Sequence, residues 1–187
     1  KEKFIGGCVK NGMAQGKAEE LFKLIEPFAA YGFNKAHAAS YAIIAYQTAY
    51  MKANFPVEFM TAVMSAESDD PDKISLAVSE CAKMNILVLP PDVNSSQTGF
   101  TIEKTEKGRG IRFGLSAIKN VGKAAIDAII SQRDANGEFL SIDDFVKRVN
   151  LRVVNRKTLE SLIKAGAMDR FGKRNAMLKV LDELKST

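Results

Sequence analysis

Two lysines flank a short turn, Asn120-Val121-Gly122, in the segment AIKNVGKAAIDAII. A helical segment is predicted to stop at Lys119 and another to start at Lys123, which leaves the first N–H groups of the second helix without partners. Asn and Gly are the residue types that most easily adopt positive φ, and successive N–H groups in such a turn converge on an anion. The helix N-terminus adds a partial positive charge. The pattern predicts a phosphate-binding turn, here called the corner (residues 119–123).

A phosphate of DNA suits the predicted corner. Because the contact is made to the sugar-phosphate backbone, it would carry no sequence preference. The alternative is an ordinary connection between two helices with solvated lysines. The residues of the corner by themselves leave both interpretations open.

A second group of polar residues surrounds His37, the only histidine of the chain. It lies about one turn into a predicted helix, with Asn34 and Lys35 before it. Asn, Lys and His at a helix start can hold a phosphorylated ligand, and they can equally well cap the helix. A single histidine among alanines is more often structural.

Arrangements of residues typical of catalysis are scarce. The sequence shows no glycine-rich phosphate loop, no Ser-His-Asp set and no Cys-His pair. Cys8 and Cys81, with one histidine, form neither a zinc site of ordinary spacing nor a disulfide framework. The acidic run at 69–72 lacks the glycine and distal Glu of a calcium loop, and it is expected to cap a helix. We therefore expect no catalytic residue, metal site or cofactor in this chain.

Composition indicates a folded and mildly basic protein. Hydrophobic residues make up 46% of the 187 residues, and the net charge is +5. This charge is compatible with nucleic acid binding but does not require it. The presence of only two cysteines favours a reducing, cytoplasmic setting. The longest charge-free run, 36–51, is too short and too polar to span a bilayer, so no membrane partner is expected. Because residue 1 is Lys, we interpret the chain as part of a longer one.

Hydrophobic periodicity and capping signals predict a mainly α-helical fold. A hairpin is predicted at 100–113, where apolar residues alternate on both sides of a charged, glycine-containing turn. Ser141 and Asp144 form a capping-box-like pair at a helix start. The predicted helices are 14–28, 34–54, one beginning at Pro56, 70–84, 114–119, 123–133, 142–149, 156–165 and 174–185.

Four stretches of the chain together resemble one protein family. They are YGFNKAHAASYAIIAYQTAYMKANFPVEFMTAVM, LPPDVNSSQTGF, IRFGLSAIKNVGKAAIDAI and VNRKTLESLIKAGAMDRFG. In this order they resemble the C family of bacterial replicative DNA polymerases, the family of the DNA polymerase III alpha subunit. The resemblance implies a helical bundle at 1–90 that is the C-terminal part of the fingers domain. It also implies a linker and β-hairpin at 91–113 and a helix-hairpin-helix module at 114–187.

The resemblance also implies a function for each group of polar residues. The corner corresponds to a helix-hairpin-helix turn, usually Gly-apolar-Gly, with Asn120 in place of the first glycine. Lys119, Asn120, Val121, Gly122 and Lys123 would bind duplex DNA. Asn34, Lys35 and His37 would face the incoming deoxynucleoside triphosphate.

The family's catalytic aspartates lie in its palm domain, and its clamp-binding peptide lies further downstream; neither matches a segment of this chain. The chain would then be inactive alone, as part of a Mg-dependent DNA-directed DNA polymerase. Its partners would be primer-template DNA, deoxynucleoside triphosphates, the other domains of the polymerase and, through them, the replicase holoenzyme.

Two other interpretations remain open at this point. One is the helix-hairpin-helix module of a DNA repair or recombination protein, joined to a helical bundle. It would need no nucleotide site, so deoxynucleotide binding at Lys35 and His37 separates it from the polymerase interpretation. The other is a small hydrolase or transferase that uses His37 as a base, which would turn over a substrate without further domains.

Overall fold

The computed structural model describes residues 1–30, 34–106 and 108–183. The described residues form two compact units, one within residues 1–50 and the other within residues 51–187. The boundaries predicted from the sequence, at residues 90 and 113, lie inside the second unit and stay a prediction. Each unit is described separately below.

Helices dominate the described residues, as the sequence predicts. The α-helices are α1 (Glu2–Lys10), α2 (Gln15–Ala30), α3 (Lys35–Asn54), α4 (Pro56–Ala66), α5 (Pro71–Lys83), α6 (Lys123–Asn136), α7 (Ile142–Arg148), α8 (Arg156–Ala165) and α9 (Arg174–Glu183). Short 3₁₀ helices cover Leu115–Ala117 and Asp169–Phe171, and the strands are β1 (Val88–Leu89), β2 (Thr101–Thr105) and β3 (Gly108–Arg112).

Most predicted helices are confirmed, with two differences. Helix α1 was not expected, because its sequence has no capping signal and contains two consecutive glycines, Gly6 and Gly7, which disfavour a helix. The helix predicted at 114–119 is only the 3₁₀ turn Leu115–Ala117. A segment this short forms too few hydrogen bonds to offset the free-energy cost of nucleating an α-helix. The end of the helix predicted at 174–185 lies outside the described residues.

The predicted hairpin is confirmed, and it belongs to a small sheet. Strands β2 and β3 pair antiparallel, with Ile102 opposite Ile111. Strand β1 pairs parallel to the other side of β3, with Val88 opposite Ile111, so the sheet order is β1-β3-β2. The partner of β1 lies more than 20 residues further along the chain, and no local pattern in the sequence specifies it.

In the first unit, α1 and α2 pack against each other. The rings of Phe4 and Phe22 lie 5.6 Å apart between centroids, and Ala18 is fully buried. Helix α3 begins in this unit, and none of its residues is buried. Its large apolar side chains are exposed on all sides, among them Ile43, Ile44 and Tyr46.

Two hydrophobic clusters form the core of the second unit. The first joins α4, α5 and the sheet, and it contains Met64, Cys81 and Ile111, each fully buried. Burial raises the pKa of the Cys81 thiol. The second cluster joins the corner to α6–α9, with Ile129 and Leu162 fully buried. The corner is therefore anchored in the larger of the two clusters.

A buried polar group connects the 91–98 loop to α6. Arg133 is only 7% exposed, and its guanidinium donates to the carbonyl of Ser96 at 2.7 Å and to that of Val93 at 3.3 Å. Asn94 exchanges two hydrogen bonds of 2.9 Å with the backbone N–H and carbonyl of Phe139. These bonds satisfy buried backbone groups of a loop that has no regular partner.

The predicted cap of α7 is confirmed. The Ser141 hydroxyl accepts from the N–H of Asp144 at 3.1 Å, and the Asp144 carboxylate accepts from the N–H of Leu140 at 3.0 Å. Arg148 donates to the same carboxylate at 3.0 Å. The Leu140 N–H, and after it Arg148, lower the pKa of Asp144 below its ordinary value. In the part of the chain that the structure describes, no helix is long and apolar enough to cross a membrane.

Candidate nucleic-acid interface

The corner begins with a tight turn. The N–H of Val121 donates to the carbonyl of Ile118 at 3.1 Å, which closes a four-residue turn. Asn120 is its third residue and has φ +66°. Type II turns require positive φ at this position, which only Gly and Asn tolerate easily. The positive φ expected of Asn120 is therefore confirmed.

The positive φ expected of Gly122 is wrong. Gly122 has φ −80° and ψ 160°, an extended conformation that any residue can adopt, and it is the N-cap of α6. Because one left-handed residue already reverses the chain at Asn120, the next positions return to ordinary conformations. A Cβ at Gly122 would meet nothing within 4 Å in the protein. The glycine is therefore not required by the fold itself.

Among the described residues, no side chain caps the N-terminus of α6. At α5, α7 and α8, the side chains of Asp70, Ser141 and Asn155 accept hydrogen bonds from first-turn N–H groups. Gly122 has no side chain to do so. The N–H of Ala125 bonds to the carbonyl of Gly122, but the N–H groups of Gly122, Lys123 and Ala124 have no partner among the described residues. These three donors lie in exposed residues, where an external anion can reach them.

Lysines supply the charge around these donors. Lys119 and Lys123 are both exposed, and neither forms an ion pair with a described residue. Val121, between them, is 6% exposed and packs in the large hydrophobic cluster together with Ile118. The apolar residues thus fix the backbone of the corner, while the polar groups stay in solvent.

Helix α8 holds the corner in place from the other side. The Thr158 hydroxyl donates to the carbonyl of Asn120 at 3.2 Å. The Nδ2 of Asn120 donates to the Ser161 hydroxyl at 3.3 Å. Neither residue of α8 was identified from the sequence, because the contacts join positions 38 and 41 residues apart and leave no local signal. Their effect is to support the left-handed conformation of Asn120.

The second predicted group lies at the start of α3. The Oδ1 of Asn34 accepts from the N–H of Ala36 at 3.0 Å, so its side chain caps the helix. The ring of His37 contacts that of Tyr41, with centroids 4.3 Å apart. Lys35 is exposed at the first position of the helix. The three residues are thus adjacent and exposed, and their binding to a nucleotide stays a prediction.

Among the described residues, no group of three or more His, Cys, Asp or Glu side chains is placed to hold a metal ion. The described residues therefore do not fit the Mg²⁺ of a polymerase reaction.

Comparison with known proteins gives one family and one set of relatives. The model of a helix-hairpin-helix motif family matches residues 85–178, which include the corner and α6–α8. The chain is 47% identical over 184 residues to the DNA polymerase III subunit alpha of Thermus aquaticus, a match that covers 98% of this chain and 15% of the relative.

The same subunit of Deinococcus radiodurans is 44% identical over 180 residues, 96% of this chain and 13% of the relative. That of Chlamydia trachomatis is 43% identical over 188 residues, covering 100% of this chain and 15% of the relative. The chain thus spans only a small part of the length of the relatives it matches. These matches confirm the resemblance seen in the sequence.

Proposed function

Because the chain belongs to the helix-hairpin-helix motif family and matches DNA polymerase III alpha subunits over nearly its whole length, we propose that its corner binds the sugar-phosphate backbone of duplex DNA. The observation that carries this proposal is the uncapped N-terminus of α6, where three N–H groups next to two exposed lysines have no partner among the described residues. N–H groups at a helix N-terminus can together bind the oxygens of one phosphate group, and the helix dipole adds to the attraction.

Binding of this type is independent of sequence. The N–H groups of Gly122, Lys123 and Ala124 reach phosphate oxygens, which are the same at every base pair. When Lys119 and Lys123 approach the phosphates, cations condensed on the DNA are released, so the affinity for DNA falls as the salt concentration rises. A module with so few contacts holds duplex weakly, which suits a part of a larger DNA-binding protein.

A titration of labelled duplex DNA at several salt concentrations tests this proposal. We expect a dissociation constant in the non-specific range of about 10⁻⁴ to 10⁻⁶ M and no preference among sequences. Lys123→Ala should reduce the log–log salt slope by about one unit. A salt slope near zero, or strong preference for one sequence, would contradict binding through phosphates.

For the first unit we propose a contribution to nucleotide handling within a complete polymerase. The support is the position of Lys35 and His37 at the exposed start of α3, next to the cap residue Asn34. A deoxynucleoside triphosphate would place its phosphates near Lys35. Titration with a fluorescent deoxynucleotide, repeated with Lys35→Ala and His37→Ala, tests this. Equal binding by the parent chain and both variants would contradict it and favour a repair or recombination module.

Helix α3 is proposed to pack against other parts of a full-length alpha subunit. A helix that is apolar on all sides is typical of the interior of a larger protein, and α3 has no buried residue in this chain. Ile44→Cys in a Cys8→Ser background should react with a thiol reagent in this chain, where Ile44 is 53% exposed. The same cysteine in a full-length subunit should be protected. Equal reactivity in both would refute this packing.

The catalytic activity belongs, in this proposal, to the full-length polymerase and its other domains. Replicative DNA synthesis with Mg²⁺ and assembly into a replicase are proposed for that longer protein, in which this segment supplies duplex contacts. The isolated chain is expected neither to extend a primed template nor to degrade DNA. Nucleotide incorporation by highly purified protein would refute this assignment.

A further inference from the structure

One face of α8 places lysines next to the corner. Ser161, which contacts Asn120 across 3.3 Å, lies between Lys157 and Lys164 on the same side of the helix. Each lysine is about one helical turn from Ser161, on opposite sides of it along the helix. The corner and this face therefore form one continuous surface, although they are far apart in sequence.

The charges along this face are not equivalent. Lys157 is exposed and forms no ion pair with a described residue. Lys164 lies 3.6 Å from Glu160, and Glu160 also pairs with Arg156 at 3.1 Å. Lys157 thus carries a full positive charge, whereas that of Lys164 is partly offset. Glu160 is the acidic residue of this helix.

We propose that Lys157, Ser161 and Lys164 form a second phosphate-contacting row, which extends the track of one DNA strand from the corner along α8. The row rests on the proposed function of the corner. Lys157 is its main cation, Ser161 joins it to the corner, and Glu160 limits its affinity.

The dimensions of the row suit this partner. Seven residues separate Lys157 from Lys164, so the row is about 10 Å long at about 1.5 Å per residue. Phosphates of one DNA strand advance about 3.4 Å per nucleotide along the duplex axis, but they lie further apart along the strand itself, because the strand winds around that axis. The row is therefore long enough to face about two neighbouring phosphates. The α8 row and the corner together therefore span more of one strand than the corner could reach alone.

The test uses single-charge variants in the duplex titration, with salt varied for each. Lys157→Ala should weaken binding about two- to fivefold, as expected for an exposed ion pair, and should lower the salt slope by about one unit. Lys164→Ala should have a smaller effect, because Glu160 already offsets its charge. Glu160→Gln should tighten binding and steepen the salt dependence, which a purely structural role of α8 would not produce.

Lys104→Ala is the matched control, because Lys104 is an exposed lysine on β2 of the same unit. It changes the net charge equally and should leave binding close to the parent value. Thermal unfolding of each variant checks that the fold is retained.

The results separate this inference from the proposed function. Parent-like binding by Lys157→Ala, with weaker binding by Lys123→Ala, would overturn the α8 row and leave the corner intact. Parent-like binding by both variants would overturn both. Equal losses for Lys104→Ala and Lys157→Ala would show a general effect of net charge and would also overturn the row.

Discussion

Asn120 is the position where a substitution most directly tests the geometry of the corner. It has φ +66°, and its side chain and carbonyl contact Ser161 and Thr158 on α8. Replacing it with Gly, Ala or Val changes no charge. The three substitutions differ in how well the new residue tolerates a left-handed backbone. Their order of stability therefore reports the conformation at this one residue.

The expected magnitudes follow from two contributions. Loss of the exposed hydrogen bond to Ser161, which is long at 3.3 Å, should cost about 0.5 kcal/mol. A left-handed conformation costs an ordinary residue about 1–2 kcal/mol and costs glycine nothing. We therefore expect Asn120→Gly to lose at most about 0.5 kcal/mol and Asn120→Ala about 1.5–2.5 kcal/mol. Asn120→Val should lose more, because a β-branched residue is poorly accommodated at positive φ.

Urea and thermal unfolding of the three variants measure these differences. Each kcal/mol lost from the free energy of unfolding should lower the melting temperature by about 2–4 °C for a unit of this size. The duplex titration then shows whether the corner still binds. Asn120→Gly should keep the parent affinity, and Asn120→Val should lose affinity because a displaced turn no longer presents the N–H groups of α6. Equal stability of the Gly and Ala variants would refute a left-handed residue at 120.

Three further predictions follow from the structure. Gly122→Val should fold with parent-like stability, because the position has φ −80° and free space, yet it should bind duplex more weakly than Lys123→Ala. Unchanged DNA binding by that variant would mean that no phosphate approaches the backbone there. Arg133→Met should lower the melting temperature by several degrees and expose the 91–98 loop to protease, because it leaves the carbonyls of Val93 and Ser96 buried without a hydrogen-bond donor. A parent-like melting temperature would contradict this prediction. Asp144→Asn should destabilise the protein at neutral pH, because it removes a carboxylate whose pKa is lowered in the folded state. The difference in stability between the variant and the parent should shrink as the pH falls below the ordinary carboxyl pKa of 3.8 toward the lowered folded pKa, because the native carboxylate then also becomes protonated. Unfolding midpoints measured between pH 7 and pH 2 check the last prediction, and a difference that stays constant with pH would contradict it.

Local signals in the sequence determined most helices and their starts. Asp70 before Pro71, and Ser141 three residues before Asp144, marked the starts of α5 and α7, because a cap needs only neighbouring residues. The hairpin was also predicted from residues that are neighbours in the sequence. The pairing of β1 with β3 was not, since strand partners distant in the chain are chosen by packing of the core.

The sequence by itself determined that residues 119–123 form a turn with lysines on both sides, since Asn, Gly and the restart of a helix are local features. The sequence predicted positive φ at both Asn120 and Gly122, because Gly and Asn are the residue types that adopt it most easily. Only the tertiary structure decided between them. Ile118 and Val121 are buried and α8 bonds to Asn120, so the chain reverses at Asn120, and Gly122 is left extended as the uncapped start of α6. The physical reason is that a turn residue's conformation depends on what its neighbours pack against, and here that partner comes from about 40 residues further along the chain.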